Sequence, residues 1–172
     1  MSQISRRSLL TLAAAALTLM DHAAIAASLS IPSGKTILKV GGSITEHNAG
    51  DEAIFDLAML EALGTARFAT ATPWTDSRAT WEGVPLVTLM TAVGASGKTI
   101  RATALNDYVV DVPLVGLAED GAILAFRRDG QLMPISDKGP LFILYPFDDE
   151  TRLQNQSFYM RCAWQVARLD II

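Results

Sequence analysis

The second half of the chain is divided into short apolar runs by turn-forming residues, and this division limits the possible folds more than any other feature. Ala122–Phe126 and Gln131–Ile135 flank the segment Arg127-Arg128-Asp129-Gly130. An Asp-Gly step between two apolar runs is typical of a β-hairpin. Further strand-like runs are Thr99–Ala104, Tyr108–Val112 and Leu141–Tyr145. We therefore predict that this half folds mainly as β-strands joined by tight turns.

The last apolar segment changes phase, which predicts an irregular strand. Apolar side chains occupy alternate positions from Phe158 to Val166, but Leu169 lies on the other parity. A strand with such a change would turn its apolar side chains toward solvent unless one residue is looped out. We therefore predict one terminal strand with a β-bulge near Ala167-Arg168.

The first half combines two helical and two strand-like segments. Thr36–Val40 and Arg67–Thr72 are predicted to be strands. Asp51–Leu63 is predicted to be a helix, because acidic residues begin it, apolar residues share one face and a glycine follows. Pro85–Val93 is predicted to be a second helix, with proline in its first turn. The whole pattern predicts a single α+β domain over residues 27–172, with a mixed, largely β core and two or three short helices.

The first residues follow the order of an export signal. Ser5-Arg6-Arg7-Ser8-Leu9-Leu10 is a twin-arginine pattern, and the apolar run that ends at Met20 is shorter than the ~20 residues that span a bilayer. Ala24-Ile25-Ala26 supplies the small residues that a signal peptidase recognises. We therefore predict that residues 1–26 are a cleaved Tat-type signal peptide and that the remaining chain is soluble in the periplasm. The alternative is a core helix that begins with two arginines.

Charge and the small number of metal-binding residues exclude several classes of function. The chain has 14 Lys and Arg against 18 Asp and Glu, and its net charge of −4 argues against nucleic-acid binding. One Cys and two His are too few for a Cys/His zinc site or a disulfide framework. Cys162 is expected to be a buried small hydrophobe. His47 is expected to be a solvated loop residue, because the partners of a catalytic triad are missing.

Polar and aromatic side chains cluster at three positions where predicted strands end. These positions are Thr72-Pro73-Trp74-Thr75, Asn106-Asp107-Tyr108 and Asp137-Lys138-Gly139-Pro140. Trp and Tyr rings beside amide and carboxylate groups suit a planar heterocycle that forms hydrogen bonds. The alternative is structural, with Trp74 and Tyr108 closing the core while Asn106 and Asp107 form a turn.

The order of motifs along the chain carries a family resemblance. The motifs are Trp81-Glu82-Gly83-Val84-Pro85-Leu86 with Leu89-Met90 and Gly94, Ala104-Leu105-Asn106-Asp107-Tyr108 with Val112-Pro113, Ile123-Leu124-Ala125, Asp129-Gly130, and Gly139-Pro140-Leu141 with Pro146. From about residue 36 to the end, this series resembles the molybdopterin-binding domain of the sulfite-oxidase type of oxidoreductases. The resemblance implies the mixed α+β fold of that family, with its largely β core.

The chain departs from that family at the metal ligand. The related oxidoreductases bind molybdenum through a cysteine in a short loop before the W-x-G-V-P-L helix. Here that loop, Ala71–Arg78, contains no thiol, and Cys162 lies far along the chain. Phe142 also stands where the enzymes often have an arginine. The resemblance therefore implies the exported, metal-free subgroup of this family. Proteins of this subgroup bind a pterin in the periplasm without molybdenum and are not enzymes. The alternative is a molybdopterin-dependent oxidoreductase or an accessory subunit of one.

Within that subgroup the resemblance implies a role in signalling. The pterin-loaded protein acts on the periplasmic domain of an inner-membrane signalling protein, such as an enzyme that controls cyclic di-GMP. A reduced pterin offers N3–H beside an exocyclic amine, and Asp107 or Asp137 would accept both in two hydrogen bonds. Trp74 would stack on the ring, and the other polar groups would bond the carbonyl and side-chain hydroxyls. The expected ligand-binding residues are Trp74, Thr75, Asn106, Asp107, Tyr108, Asp137, Lys138 and Gly139.

Overall fold

The computed structural model describes residues 29–172, so the predicted signal peptide, residues 1–26, lies outside the described residues. The strands are β1 (Leu38–Gly42), β2 (Ala53–Phe55), β3 (Ala66–Thr70), β4 (Ala79–Pro85), β5 (Thr99–Ala104), β6 (Val109–Pro113), β7 (Ile123–Arg128), β8 (Gln131–Leu132), β9 (Phe142–Leu144), β10 (Ala163–Trp164) and β11 (Val166–Ile171). The helices are α1 (Leu57–Ala62), α2 (Leu86–Ala92), α3 (Leu117–Asp120), the 3₁₀ helix Thr151–Leu153 and α4 (Gln156–Tyr159). None of these helices is long and apolar enough to cross a bilayer.

Two sheets organise the domain. The first has five strands in the order β2-β1-β11-β5-β6, and the second has the order β10-β9-β7-β4-β3 with β8 paired to β7. The β1–β11 pair is parallel, and the other neighbours are antiparallel. The predicted mixed α+β class with a largely β core is confirmed, with four short α-helices among the described residues where two or three were predicted.

The core lies against one face of the first sheet and includes side chains of both sheets in one apolar cluster. The opposite face of the first sheet carries charged residues held in ion pairs. Arg101 donates to both oxygens of Asp111 at 2.9 and 3.0 Å, and Arg168 donates to Asp170 and Glu52. One buried and one charged face is the usual arrangement of an antiparallel sheet at a protein surface. The first sheet is thus covered by the core on one face and exposed on the other.

Several elements follow the local sequence rules. The β7–β8 hairpin is confirmed, and its two central residues, Asp129 and Gly130, have φ of 50° and 80°. Both residues of a type I′ turn require positive φ, which explains the Asp-Gly step. The helix predicted over Pro85–Val93 is confirmed as α2, with Pro85 as its N-cap rather than in its first turn. The β11–β5 register shifts between Val166 and Arg168, which confirms the predicted bulge.

The predicted helix over Asp51–Leu63 is wrong in its first half. Ala53–Phe55 instead forms β2, paired antiparallel to β1, and the helix begins only after Asp56. The Asp56 carboxylate accepts the Met59 N–H at 2.9 Å as the helix cap, and also the N–H groups of Ser33 and Gly34 at 2.9 and 2.7 Å. These contacts fix the start of α1, because a capping residue has non-helical backbone angles.

Acid titration is expected to reveal the Asp56 cap. The N–H groups of Met59, Gly34 and Ser33 hold the pKa of the Asp56 carboxyl below its ordinary value. A carboxyl with a lowered pKa stabilises the fold above about pH 4, and this contribution is lost as the pH falls through the folded-state pKa. Asp56→Asn is therefore expected to unfold at lower urea concentration than the wild type near neutral pH, with a difference that shrinks below about pH 4.

Urea midpoints measured across this pH range check the prediction, with Asp51→Asn at an exposed position as the control. A constant difference between Asp56→Asn and the wild type from neutral to acid pH would contradict it.

The predicted single strand from Phe158 onward is also wrong. The segment instead forms α4, the two-residue strand β10 and then β11, with Gln165 in a left-handed conformation (φ 56°) between the two strands. The alternating apolar residues therefore do not share one face: Phe158 lies in α4, Met160 follows it and is 63% exposed, and Trp164 lies in β10. Strand β4, which includes Trp81, was not predicted at all.

Candidate functional site

Aromatic side chains from three separate parts of the chain line one cavity of about 240 Å³. We call this cavity the aromatic pocket. One side comes from the loop after β3, a second from the turn between β5 and β6, and the third from the segment between α4 and β10. The lining residues are Pro73, Trp74, Tyr108, Gln156, Tyr159, Met160, Cys162 and Trp164. The pocket thus lies where strand ends of both sheets meet.

Trp74 both lines the aromatic pocket and packs on the core. Its ring lies edge-on to Tyr159 at 6.0 Å and tilted to Trp164 at 6.0 Å, between ring centroids. The Thr72 hydroxyl accepts the Trp74 N–H at 3.2 Å and lies 2.9 Å from the Thr75 hydroxyl. Thr75 also donates to the Ser77 carbonyl, so its hydroxyl is used to shape the loop. Thr75, a predicted ligand contact, is not among the residues that line the pocket.

The β5–β6 turn carries Tyr108 to the pocket and uses its neighbours to form the turn. The Asn106 side-chain oxygen accepts the Tyr108 N–H at 3.2 Å. The Asp107 N–H donates to the Ala104 carbonyl at 3.1 Å, with Asp107 at φ 63°. Tyr108 is 53% exposed at the pocket rim, whereas neither Asn106 nor Asp107 lines the pocket. The turn-forming alternative therefore describes Asn106 and Asp107.

No residue of the loop Asp137–Gly139 lines the pocket, but Lys138 contacts a ring that does. The Lys138 ammonium lies 5.9 Å from the centroid of the Trp164 ring, within the range of a cation–π contact. The Asp137 carboxylate lies 3.6 Å from that ammonium and 3.6 Å from the Arg128 guanidinium, away from the pocket lining. Gly139 is buried in the fold, and a Cβ there would meet the Met133 carbonyl oxygen at 1.9 Å. Of this loop, only Lys138 is placed to touch a ligand at Trp164.

Backbone strain concentrates beside the pocket. Lys138 and Gln165 have φ of 62° and 56°, although neither is a glycine. The Gln165 N–H donates to the Lys138 carbonyl at 3.2 Å, and the Leu105 N–H donates to the Gln165 carbonyl at 2.9 Å. The Gln165 side-chain amide donates to the Ile135 carbonyl at 2.6 Å. Left-handed non-glycine residues are uncommon and cluster at functional sites, so this junction of three loops next to Trp164 supports the assignment of the site.

Sequence reasoning missed the third side of the pocket. The residues of this side are Gln156, Tyr159, Met160, Cys162 and Trp164. The density of aromatic residues between Phe158 and Trp164 is the signal that could have indicated a site, but the same residues also fit one face of a strand. The expectation that Cys162 is buried is confirmed. Cys162 is far along the chain from the loop at Trp74, but Cys162 and Trp74 are neighbours in space because both line the pocket.

The polar side-chain groups that line the pocket are one thiol, one amide, two phenol hydroxyls and two indole N–H groups. The Cys162 thiol donates to the Phe158 carbonyl at 3.6 Å, and burial raises the pKa of this thiol. In the part of the chain that the structure describes, no three His, Cys, Asp or Glu side chains form a group that could hold a metal ion. The pocket offers flat rings and the Gln156 amide, which can both donate and accept, and the Lys138 ammonium lies near the Trp164 ring.

Comparisons with known proteins add no family to this geometry. The chain matches no model of a protein family, and it matches no curated protein. The resemblance to the molybdopterin-binding domain of the sulfite-oxidase type thus remains a prediction from the motifs.

Proposed function

We propose that this protein binds a pterin in the aromatic pocket, without molybdenum, and acts as a ligand-sensing protein rather than an enzyme. The proposal includes the finer fold, a domain of the sulfite-oxidase molybdopterin-binding type. The single observation that carries it is the meeting of Trp74, Tyr108, Tyr159 and Trp164 around one cavity. Two of these rings, Trp74 and Tyr108, are also the aromatic residues that the sequence predicts as ligand contacts.

The chemistry of the pocket supports a flat, polar ring. Aromatic side chains provide surfaces against which a bicyclic heterocycle stacks or packs edge-on. The Gln156 amide pairs with the donor–acceptor edge of the pterin, in place of the carboxylate expected at Asp107 or Asp137. The Lys138 ammonium at the Trp164 ring is available to the carbonyl or a side-chain hydroxyl of the ligand. This set recognises a pterin by shape and hydrogen bonds.

The sensing role rests on where the pocket lies and on the export signal. Tyr108 and Met160 line the pocket and are 53% and 63% exposed, so a bound ligand would change the surface that a partner meets. We place the protein in the periplasm on the twin-arginine pattern at Arg6-Arg7. There the pterin-loaded form acts on the periplasmic domain of an inner-membrane signalling protein, such as one that controls cyclic di-GMP.

Mass spectrometry of the released ligand tests the binding function directly. The full chain is produced in cells that export it, purified from the periplasm and denatured, and the supernatant is analysed. We expect a pterin at close to one equivalent per chain. Protein that carries no small molecule, and that binds no added tetrahydropterin in calorimetric titration, would contradict the proposal.

Tyr108 offers a test of the pocket that leaves the fold intact. Tyr108→Ala is expected to weaken pterin binding about tenfold, because a ring contact at the rim is lost. Tyr108→Phe is expected to bind within about twofold of the wild type, because the ring remains. Changes at exposed positions alter stability by less than about 0.5 kcal/mol, so thermal midpoints should stay close together.

Calorimetric titration with the same pterin measures these affinities. Val115→Ala, at a side chain that is 86% exposed and outside the pocket lining, is the matched control. Equal affinity of Tyr108→Ala and Val115→Ala would remove Tyr108 from the site.

A molybdopterin-dependent oxidoreductase, or an accessory subunit of one, is the second candidate. The observation in its favour is that Cys162, the one thiol of the chain, lines the aromatic pocket. Metal analysis of the wild type and Cys162→Ser distinguishes the candidates. We expect no stoichiometric molybdenum in either protein and unchanged pterin binding in Cys162→Ser. Molybdenum at close to one per chain, lost in the serine variant, would establish the oxidoreductase.

A further inference from the structure

Strand β6 is the free edge of the first sheet, and its backbone groups are not all used. The Ala104 N–H donates to the Tyr108 carbonyl, and the Leu114 N–H donates to the Lys98 carbonyl, both at 2.9 Å. Backbone groups in an antiparallel pair face the neighbouring strand at alternate residues. Val110 and Val112 therefore bond to β5, whereas Val109 and Asp111 direct their N–H and C=O groups away from the sheet.

A groove runs along this free edge. It has a volume of about 650 Å³ and lies between β6 and the segment that starts in α4. Tyr108, Val109 and Asp111 line one side, while Ser157, Met160 and Arg161 line the other. An exposed strand edge beside a second element is the geometry in which an extended peptide adds as a further strand.

The protection of this edge is only partial. Such edges are usually blocked by lysines, proline, a bulge or a covering loop. Here Pro113 blocks only the far end of β6. Val109 is 46% exposed, next to the exposed Tyr108 and Met160, so three apolar side chains form one rim. The charge of Asp111 is already compensated by Arg101, which donates to both of its oxygens.

The charge on the opposite side of the groove is positive. The Arg161 guanidinium lies 4.5 Å from the Phe158 ring centroid, which fixes its position. Asp120 lies 3.7 Å from Arg161 but only 2.6 Å from Arg152, so it is shared between two arginines. Arg161 therefore keeps positive charge available at the groove. A segment that fits must combine apolar side chains with a carboxylate.

We propose that the groove binds an extended segment of a partner protein, with alternating apolar residues and an acidic residue, which adds as a sixth strand to the edge of β6. Its backbone pairs with Val109 and Asp111, its apolar side chains pack on Tyr108 and Met160, and its carboxylate pairs with Arg161. The regulation of this peptide binding by a ligand rests on the proposed function, because Tyr108 and Met160 line both the groove and the aromatic pocket. A bound pterin thereby sets the position of two groups that the partner contacts.

A displayed library of random heptapeptides, selected on the purified full-length protein, tests the proposal. Val109→Pro removes one N–H that faces the free edge and leaves the pairing with β5 in place, because proline is tolerated at such positions. Val109→Ala keeps that N–H and is the matched control. We expect enriched peptides to alternate apolar residues and to contain Asp or Glu. They should bind Val109→Pro about five- to tenfold more weakly than Val109→Ala, as loss of one hydrogen bond implies.

Amide hydrogen exchange locates the binding. With an enriched peptide, the Val109 and Asp111 amides should change from fast to slow exchange, while the Val110 and Val112 amides are slow throughout. The proposal would be overturned if no selected peptide binds Val109→Ala more tightly than Val109→Pro. It would also be overturned by a wild-type dimer that Val109→Pro converts to monomer, since the edge then serves a second copy of this chain. Release of a pterin from the purified protein is measured separately. If no pterin is released while peptide binding is intact, only the proposed function is overturned.

Discussion

Replacement of Trp74 by alanine is expected to weaken pterin binding at least tenfold. The indole forms one side of the aromatic pocket, and a lost stacking contact costs ~0.5–1.5 kcal/mol beyond the apolar area that is no longer buried. Trp74→Phe should recover much of this loss, because a smaller ring still meets the ligand. Titration with one pterin at a temperature at which all three proteins are folded measures the effect.

The same substitution is expected to lower the thermal midpoint of the ligand-free protein. Trp74 contacts the rings of Phe142, Tyr159 and Trp164 with centroid separations of 6.0 to 6.2 Å. Truncation of a large aromatic residue in a core costs ~3–5 kcal/mol, and a half-buried ring costs less. Affinity equal to wild type in folded Trp74→Ala would show that the indole is only structural. Loss of binding at a temperature where Trp74→Ala is folded, with recovery in Trp74→Phe, would support the stacking role.

Gly139→Ala is expected to destabilise the protein by about 3 kcal/mol or more. A Cβ at this position would lie 1.9 Å from the Met133 carbonyl oxygen and 2.8 Å from the Pro134 carbonyl oxygen. Both are backbone atoms, and the Gly139 N–H already donates to the Pro134 carbonyl at 2.9 Å, so neither can move without loss of the loop. Since this loop carries Lys138 to Trp164, pterin affinity should fall as well.

Gly130→Ala is the matched control for this prediction. Gly130 lies in the β7–β8 turn at φ 80°, and a Cβ added there would meet no atom within 4 Å. Its substitution therefore costs only the left-handed backbone, about 1 kcal/mol. Urea unfolding of both variants checks the difference. Equal losses in the two variants would show that the close approach to Met133 is relieved by a small shift of the chain.

Local rules predicted the parts of the fold that local contacts decide. The Asp129-Gly130 turn, the start of α2 directly after Pro85 and the bulge before Arg168 all follow from neighbouring residues. The helix predicted over Asp51–Leu63 failed because Asp56 bonds to Ser33 and Gly34, which no local pattern reveals. Tertiary contacts decide whether such a segment forms a helix or a strand.

Two of the three sides of the aromatic pocket carry a residue that the sequence analysis named as a ligand contact. Trp74 and Tyr108 were named because each ring stands beside polar residues where a predicted strand ends. Gln156 and Tyr159 were not found, because a one-turn helix such as α4 has too few residues to show a helical period. The polar residues Asn106 and Asp107 were chosen for their chemistry, but the same chemistry also makes them good turn formers.

The position of β11 within the first sheet governs when this domain can fold. β11 lies between β1 and β5 at the centre of the five-stranded sheet, and it pairs in parallel with the first strand of the domain. On the ribosome, β1 and β2 therefore have no central strand to join until residue 171 has been made. Contacts of such high sequence separation form slowly. The first sheet therefore cannot be completed before β11 has been made, and strand edges such as β5 stay open to other chains until then.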